Sequence, residues 1–201
     1  MAKSSSEQNT VTPKADTLAD AARAASRGKG LPPVHLWDPP FCGDLDMRIA
    51  RDGTWFYEGT PIGRPALVRL FSTILKREDG RYFLVTPVEK VGITVDDAPF
   101  VAVDFRAEGQ GRDQRLTFVT NLGDETVAGP DAPLRVTRDP QTGEPAPYVM
   151  VRAGLEALID RKSFYRLVEL GVTEPHEGRD WFGLWSSGRF FPVIPASEMP
   201  D

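Results

Sequence analysis

Arginines are the residues whose type and spacing in this chain could do chemistry. Arg64 stands directly before Pro65, and Leu67, Leu70, Phe71 and Ile74 follow at helical spacing. Proline suits the first position of a helix, because its missing N–H would be unpaired there in any case. A helix starting at Pro65 presents unpaired N–H groups and a partial positive charge. A guanidinium beside that end can hold a phosphate or carboxylate through two parallel hydrogen bonds. Arg152 stands at the matching place ahead of a second apolar run, Leu155, Leu158, Ile159, Leu167 and Leu170, which the same spacing reads as a longer helix stopped by Gly171. Two such arginines would hold an anionic ligand at the interface of two halves of the chain. The competing reading pairs each arginine with an acid of the other half, with Asp46, Glu89 and Asp104 as candidates.

Other side chains could join such a site. Alternation along a strand puts Trp55 and Tyr57 on one face and Phe56 on the other, and one face could stack on an aromatic moiety. The same aromatics, with Trp181, Phe182, Trp185, Phe190 and Phe191, also suit a core. Arg48, Arg51, Arg135 and Arg138 recur as Arg-apolar-x-Arg, which serves either a solvated strand face or a ligand. The candidate ligand contacts are therefore Arg64, Arg152, Trp55, Tyr57, Arg48 and Glu89.

A catalytic set is not legible. The two histidines, His35 and His176, lie in a Pro-bounded arm and a polar loop, without a nucleophile arrangement. His35 and Cys42 lack a further ligand pair at zinc spacing. Asp44-Leu-Asp46 reads either as a Mg²⁺ pair or as a turn residue followed by a strand residue. Gly109-Gln-Gly111-Arg-Asp113 lacks the Lys-Ser/Thr ending of a phosphate loop and reads as a hairpin turn. The expectation is a protein with no enzymatic activity, no cofactor and no metal.

The elements that must position these residues repeat. Besides the arginine blocks, Gly80-Arg81-Tyr82-Phe83-Leu84-Val85-Thr86-Pro87 is echoed by Gly188-Arg189-Phe190-Phe191-Pro192-Val193-Ile194-Pro195, and Arg48-Ile49-Ala50-Arg51-Asp52 by Arg135-Val136-Thr137-Arg138-Asp139. Asp52-Gly53 and Asp79-Gly80 supply the positive φ angles of tight hairpins. These signals predict an α+β protein made by internal duplication of a β-β-α-β-β unit, the first copy in 31–97 and the second in 98–201. The polar Thr173–Asp180 reads as a loop inserted after the second helix. Residues 1–30 read as a flexible tail with a short Ala-rich helix over 14–27, capped by Asp16 or Thr17. Leu36, Trp37 and Phe41, in an arm held extended by Pro32, Pro33, Pro39 and Pro40, are expected to bury against the first unit.

Composition narrows the class further. Over 201 residues the net charge is −5, against the basic face that general nucleic-acid binding needs. The single cysteine rules out an internal disulfide and points away from an oxidising compartment. No apolar run reaches the roughly 18 residues of a membrane span, and the polar start has no signal-peptide core, so a cytoplasmic location is expected.

The runs LPPVHLWDPPFCGDLDMRI, RDGTWFYEGTPIGRPALVRLFSTIL, GRYFLVTPVEKVGI, VDDAPFVAV, LTFVTN and PYVMVRAGLEALIDRKSFYRLVELG resemble the bacterial family known as domain of unknown function 1285, over about residues 30 to 195. The resemblance implies a duplicated core with a C-terminal half like a pleckstrin-homology barrel. It also implies a nucleotide-like ligand at the interface of the halves and a role in signal transduction. A protein-interaction scaffold without a small-molecule ligand is the alternative, and fold similarity alone does not choose between the two.

Overall fold

The computed structural model describes residues 14–26, 28, 30–139 and 142–199. The segment 1–13, read above as a flexible tail, lies outside them. The chain divides into two compact units, one holding the residues through Arg48 with Thr54–Val95, the other Ile49–Gly53 with Asp96 onward. Both are sheet-rich with few helices, which makes the protein α+β. No helix among the described residues is long and apolar enough to cross a membrane.

In the first unit, α1 (Ala15–Ala25) is followed by β1 (Phe41–Ile49), β2 (Trp55–Tyr57) and β3 (Thr60–Pro61). Then come α2 (Pro65–Thr73), β4 (Leu75–Glu78), β5 (Arg81–Val85) and β6 (Lys90–Val95). The strands form one sheet in the order β3-β2-β1-β6-β5-β4. Along β1, Leu45, Met47 and Ile49 are buried while Asp44, Asp46 and Arg48 are exposed, the alternation of a sheet wetted on one face. Helix α2 buries Val68, Phe71 and Ser72. Trp55 stacks on Phe71 at 6.4 Å between ring centroids and 17° between planes. Each such apolar side chain contributes about 1.5–3 kcal/mol on full burial. Helix α1 buries Leu18, Ala19 and Ala22 and starts after Lys14 with no side-chain cap; Thr17 Oγ donates backward to the Lys14 carbonyl at 2.8 Å.

The Pro-bounded arm departs from expectation. It buries Pro32 and Pro39, while Leu36 and Phe41 stay 73% and 49% exposed and Trp37 is half-buried. A short 3₁₀ turn over Val34–Leu36 points Leu36 outward, and Phe41 begins a strand whose inward positions start only at Leu45.

In the second unit, β7 (Phe100–Glu108), β8 (Arg115–Thr120), β9 (Glu125–Val127), β10 (Leu134–Arg138), β11 (Pro145–Arg152) and β12 (Leu155–Ile159) form a sheet ordered β10-β11-β12-β7-β8-β9. The pairings in it are antiparallel except β12 with β7, which is parallel. Bulges in β7 and β11 strengthen its local twist, and the sheet curls into a half-barrel. Helix α3 (Arg161–Val168) then leads to a three-stranded sheet, β13 (Val172–His176), β14 (Arg179–Ser186) and β15 (Arg189–Pro195).

Two readings of the second unit are corrected. Leu155, Leu158 and Ile159 belong to strand β12, so the helix is only eight residues long. Burial falls on Leu155, Ala157 and Ile159, a period of two that the i, i+3, i+4 spacing of the leucines and isoleucine concealed. The segment Thr173–Asp180 is not a loop: β13 pairs with β14 through it, and only Glu177-Gly178 turns the chain, with φ of 51° and 83°. Part of the turn joining β10 to β11, residues 140–141, lies outside the described residues.

Candidate functional site

In the first unit, the β2–β3 hairpin, α1 and the head of α2 enclose a groove of about 260 Å³. Tyr57, Pro61, Ile62, Arg64, Leu67 and Phe71 line it, with Ala15 and Asp16 of α1 at its margin. Arg64 occupies the N-cap position with extended backbone, φ −111° and ψ 99°, and Pro65 takes the first helical turn as the sequence predicts. Its carbonyl accepts from the N–H groups of Leu67 and Val68, while its side chain caps nothing. The guanidinium is exposed, and no carboxylate among the described residues pairs with it. Burial holds the Tyr57 hydroxyl above the usual tyrosine range, so its proton is retained at neutral pH. The groove therefore presents one exposed cation and one phenol over an apolar floor, with the Asp16 carboxylate at its margin.

Trp55 is 2% exposed and covered by Phe71, so it is core and not a stacking platform. Arg48 lies on the solvent face of β1, its guanidinium 4.7 Å from the centre of the Phe56 ring, in a separate groove of about 440 Å³ shared with Asp44, Asp46 and Thr94. Asp44 and Asp46 do share that face, yet Arg81 already holds Asp44 at 2.9 Å. No group of three metal-binding side chains occurs among the described residues. Glu89 sits before β6, half-buried, and lines neither groove; burial pushes its carboxyl above the usual range.

Arg152 is the main correction. It does not precede a helix: it ends β11 and pairs with Leu155 across a two-residue turn, Ala153-Gly154, whose φ angles are 44° and 78°. The apparent repeat of the Arg64 block thus covers a helix in one place and a hairpin in the other. The Arg152 guanidinium reaches Asp124 at 2.6 Å and lies 4.9 Å from the Phe100 ring centre. Its companions in this unit are likewise engaged. Arg135 grips Glu156 through two bonds of 2.7 Å and covers the Tyr148 ring at 4.1 Å. Arg51 meets Asp97 at 3.3 Å, and Arg138 meets Glu198 at 3.4 Å. Asp104 is held by Arg166 at 2.6 Å, which keeps its carboxyl below the usual range. These pairings lie within one unit, so they brace that unit's own strands.

Sequence reasoning missed a concavity of about 790 Å³ in the second unit, because its aromatic walls read mostly as core.

Two profiles of one family match consecutive stretches: "Domain of unknown function (DUF1285), N-terminal domain" over residues 32–98, and "Protein of unknown function (DUF1285), C-terminal domain" over 99–193. The chain belongs to the DUF1285 family. A solved DUF1285 protein from Silicibacter pomeroyi DSS-3 is 69% identical, with a TM-score of 0.82 over 90% of this chain and 96% of that one. A DUF1285 protein from Shewanella baltica OS155 is 30% identical, with a TM-score of 0.49 over 62% of this chain and 91% of that one. No curated protein matches the chain.

Proposed function

We propose that this DUF1285 protein is a non-enzymatic binding or sensing module for a small anionic ligand, nucleotide-like ligands among them, acting in bacterial signal transduction in the cytoplasm. The observation that carries this reading is Arg64: a guanidinium at the head of a helix, lining a groove beside Tyr57, with no carboxylate partner among the described residues. A charge-assisted contact there adds to the favourable field of the helix end. Arg152 is left out of the ligand set, because its bond to Asp124 occupies it. A thermal-shift panel of phosphate, sulfate, AMP and ADP tests the reading, since a ligand that binds only the folded state raises Tm. At least one anion raises Tm in the wild type and fails to do so in Arg64→Ala; an unshifted panel overturns the reading.

The finer fold proposal goes with it. The curled sheet of the second unit is of pleckstrin-homology type, and three strands, a helix and three strands recur as β1–β6 around α2 and β10–β15 around α3. That repeat is longer than the β-β-α-β-β unit read from the sequence. A second function, a protein-interaction scaffold, is favoured by the exposed Leu31, Leu36, Phe41 and Val88 of the first unit. A stoichiometric partner lost on Leu36→Ser with Val88→Ser, with anion shifts unchanged, would select it.

A further inference from the structure

The large cavity of the second unit, about 790 Å³, falls within the size range of small-molecule sites. Local sequence explains its shape. The β14–β15 pairing shifts register between Phe182 and Gly183, and sets Trp181 opposite Pro195 and Phe182 opposite Ile194. The Phe182 ring fills the space that a Cβ on Gly171 would take, so glycine is what allows the ring to lie against the end of α3. Phe164 and Val168, four residues apart on one face of α3, supply the facing wall.

Three charged side chains line this apolar space: Arg138, Glu198 and Arg179. The first two meet each other at 3.4 Å and offset one another. Arg179 stacks on Trp181, 4.4 Å from the ring centre, and no carboxylate among the described residues pairs with it. A stacked guanidinium keeps its in-plane N–H groups available for a carboxylate. The complement of this lining is an apolar body carrying one negative charge. A bare phosphate would leave the walls uncovered, and a neutral apolar molecule would leave Arg179 unanswered.

We propose that the cavity binds a small amphipathic carboxylate, its apolar part between Trp181-Phe182 and Phe164-Val168 and its carboxylate on Arg179. This site is separate from the Arg64 groove and takes a different ligand. Calorimetric titration of the whole chain with decanoate, below its micelle concentration, and with 1-decanol tests it. Decanoate binds at least tenfold more tightly than decanol, the worth of one charge-assisted contact. Arg179→Ala, at an exposed position, removes that advantage and leaves decanol binding as it was. Val168→Trp, which projects an indole into the cavity, weakens binding of both, while Arg64→Ala changes neither. Equal affinity for acid and alcohol, or an unchanged decanoate affinity in Arg179→Ala or Val168→Trp, overturns the proposal. So does a dimer in sedimentation that Val168→Trp dissolves, which would make the cavity a contact between copies of the chain.

Discussion

The hydroxyl of Tyr148 donates to Asp97 at 2.7 Å, and Asp97 in turn meets Arg51. Burial and the neighbouring carboxylate push the Tyr148 pKa up to about 12, against 10 for a free phenol. A raised pKa means the fold holds this proton more tightly than the unfolded chain does. The stability it adds is fully present below about pH 10 and is lost as the pH rises through 12. Tyr148→Phe leaves the ring under Arg135 but takes away the donor, and costs about 1–2 kcal/mol at pH 7. In urea melts from pH 8 to 11 the wild type loses stability over the upper part of this range, and the variant lacks that component. Glu89 follows the same sign, from burial alone. Its carboxyl is raised by burial and no cation among the described residues answers it. Stability from its neutral form is present below the ordinary glutamate range and lost as the pH rises above it. Glu89→Gln therefore raises Tm at pH 7 and leaves it unchanged at pH 4.

Among the elements, the two compared helices start differently. Asp160 caps α3 by accepting the Ser163 N–H at 2.7 Å, whereas Arg64 offers α2 no such bond. Asp160→Ala costs about 1 kcal/mol, read as a lower Tm in a thermal melt. The contrast explains what the sequence discloses. Pro65 with Leu67, Leu70, Phe71 and Ile74 marks a helix, and Asp79-Gly80 marks a hairpin that forms where expected. Leu155-Glu-Ala-Leu-Ile159 fits both periods, so length and flanks had to decide. Ala153-Gly154 before it and the capping aspartate after it bound a five-residue strand. Reading the Arg152 block as an echo of the Arg64 block hid that punctuation. Pairing partners such as Asp124, far from Arg152 in sequence, carry no local signal. The cavity was hidden for a related reason: Trp181, Phe182 and Ile194 look like core residues until a register shift sets them at one end of a hairpin.

Across the whole molecule, family membership and the 69% identical solved relative fix what the chain is related to without assigning an activity. Each unit contributes its own concave surface, a small one at Arg64 and a large apolar one at Arg179. Neither arginine has a carboxylate partner among the described residues, so anion binding at either weakens as salt rises. The proposed site separates the two arginine blocks: Arg64, and not its apparent counterpart Arg152, receives the anion. It is tested most directly by calorimetric titration of ADP into the wild type, Arg64→Ala and Arg152→Ala at low salt. ADP binds the wild type, fails to bind Arg64→Ala and still binds Arg152→Ala, the latter unfolding at a lower temperature because Asp124 loses its partner. Binding that survives Arg64→Ala, or that Arg152→Ala alone abolishes in a folded protein, would contradict it.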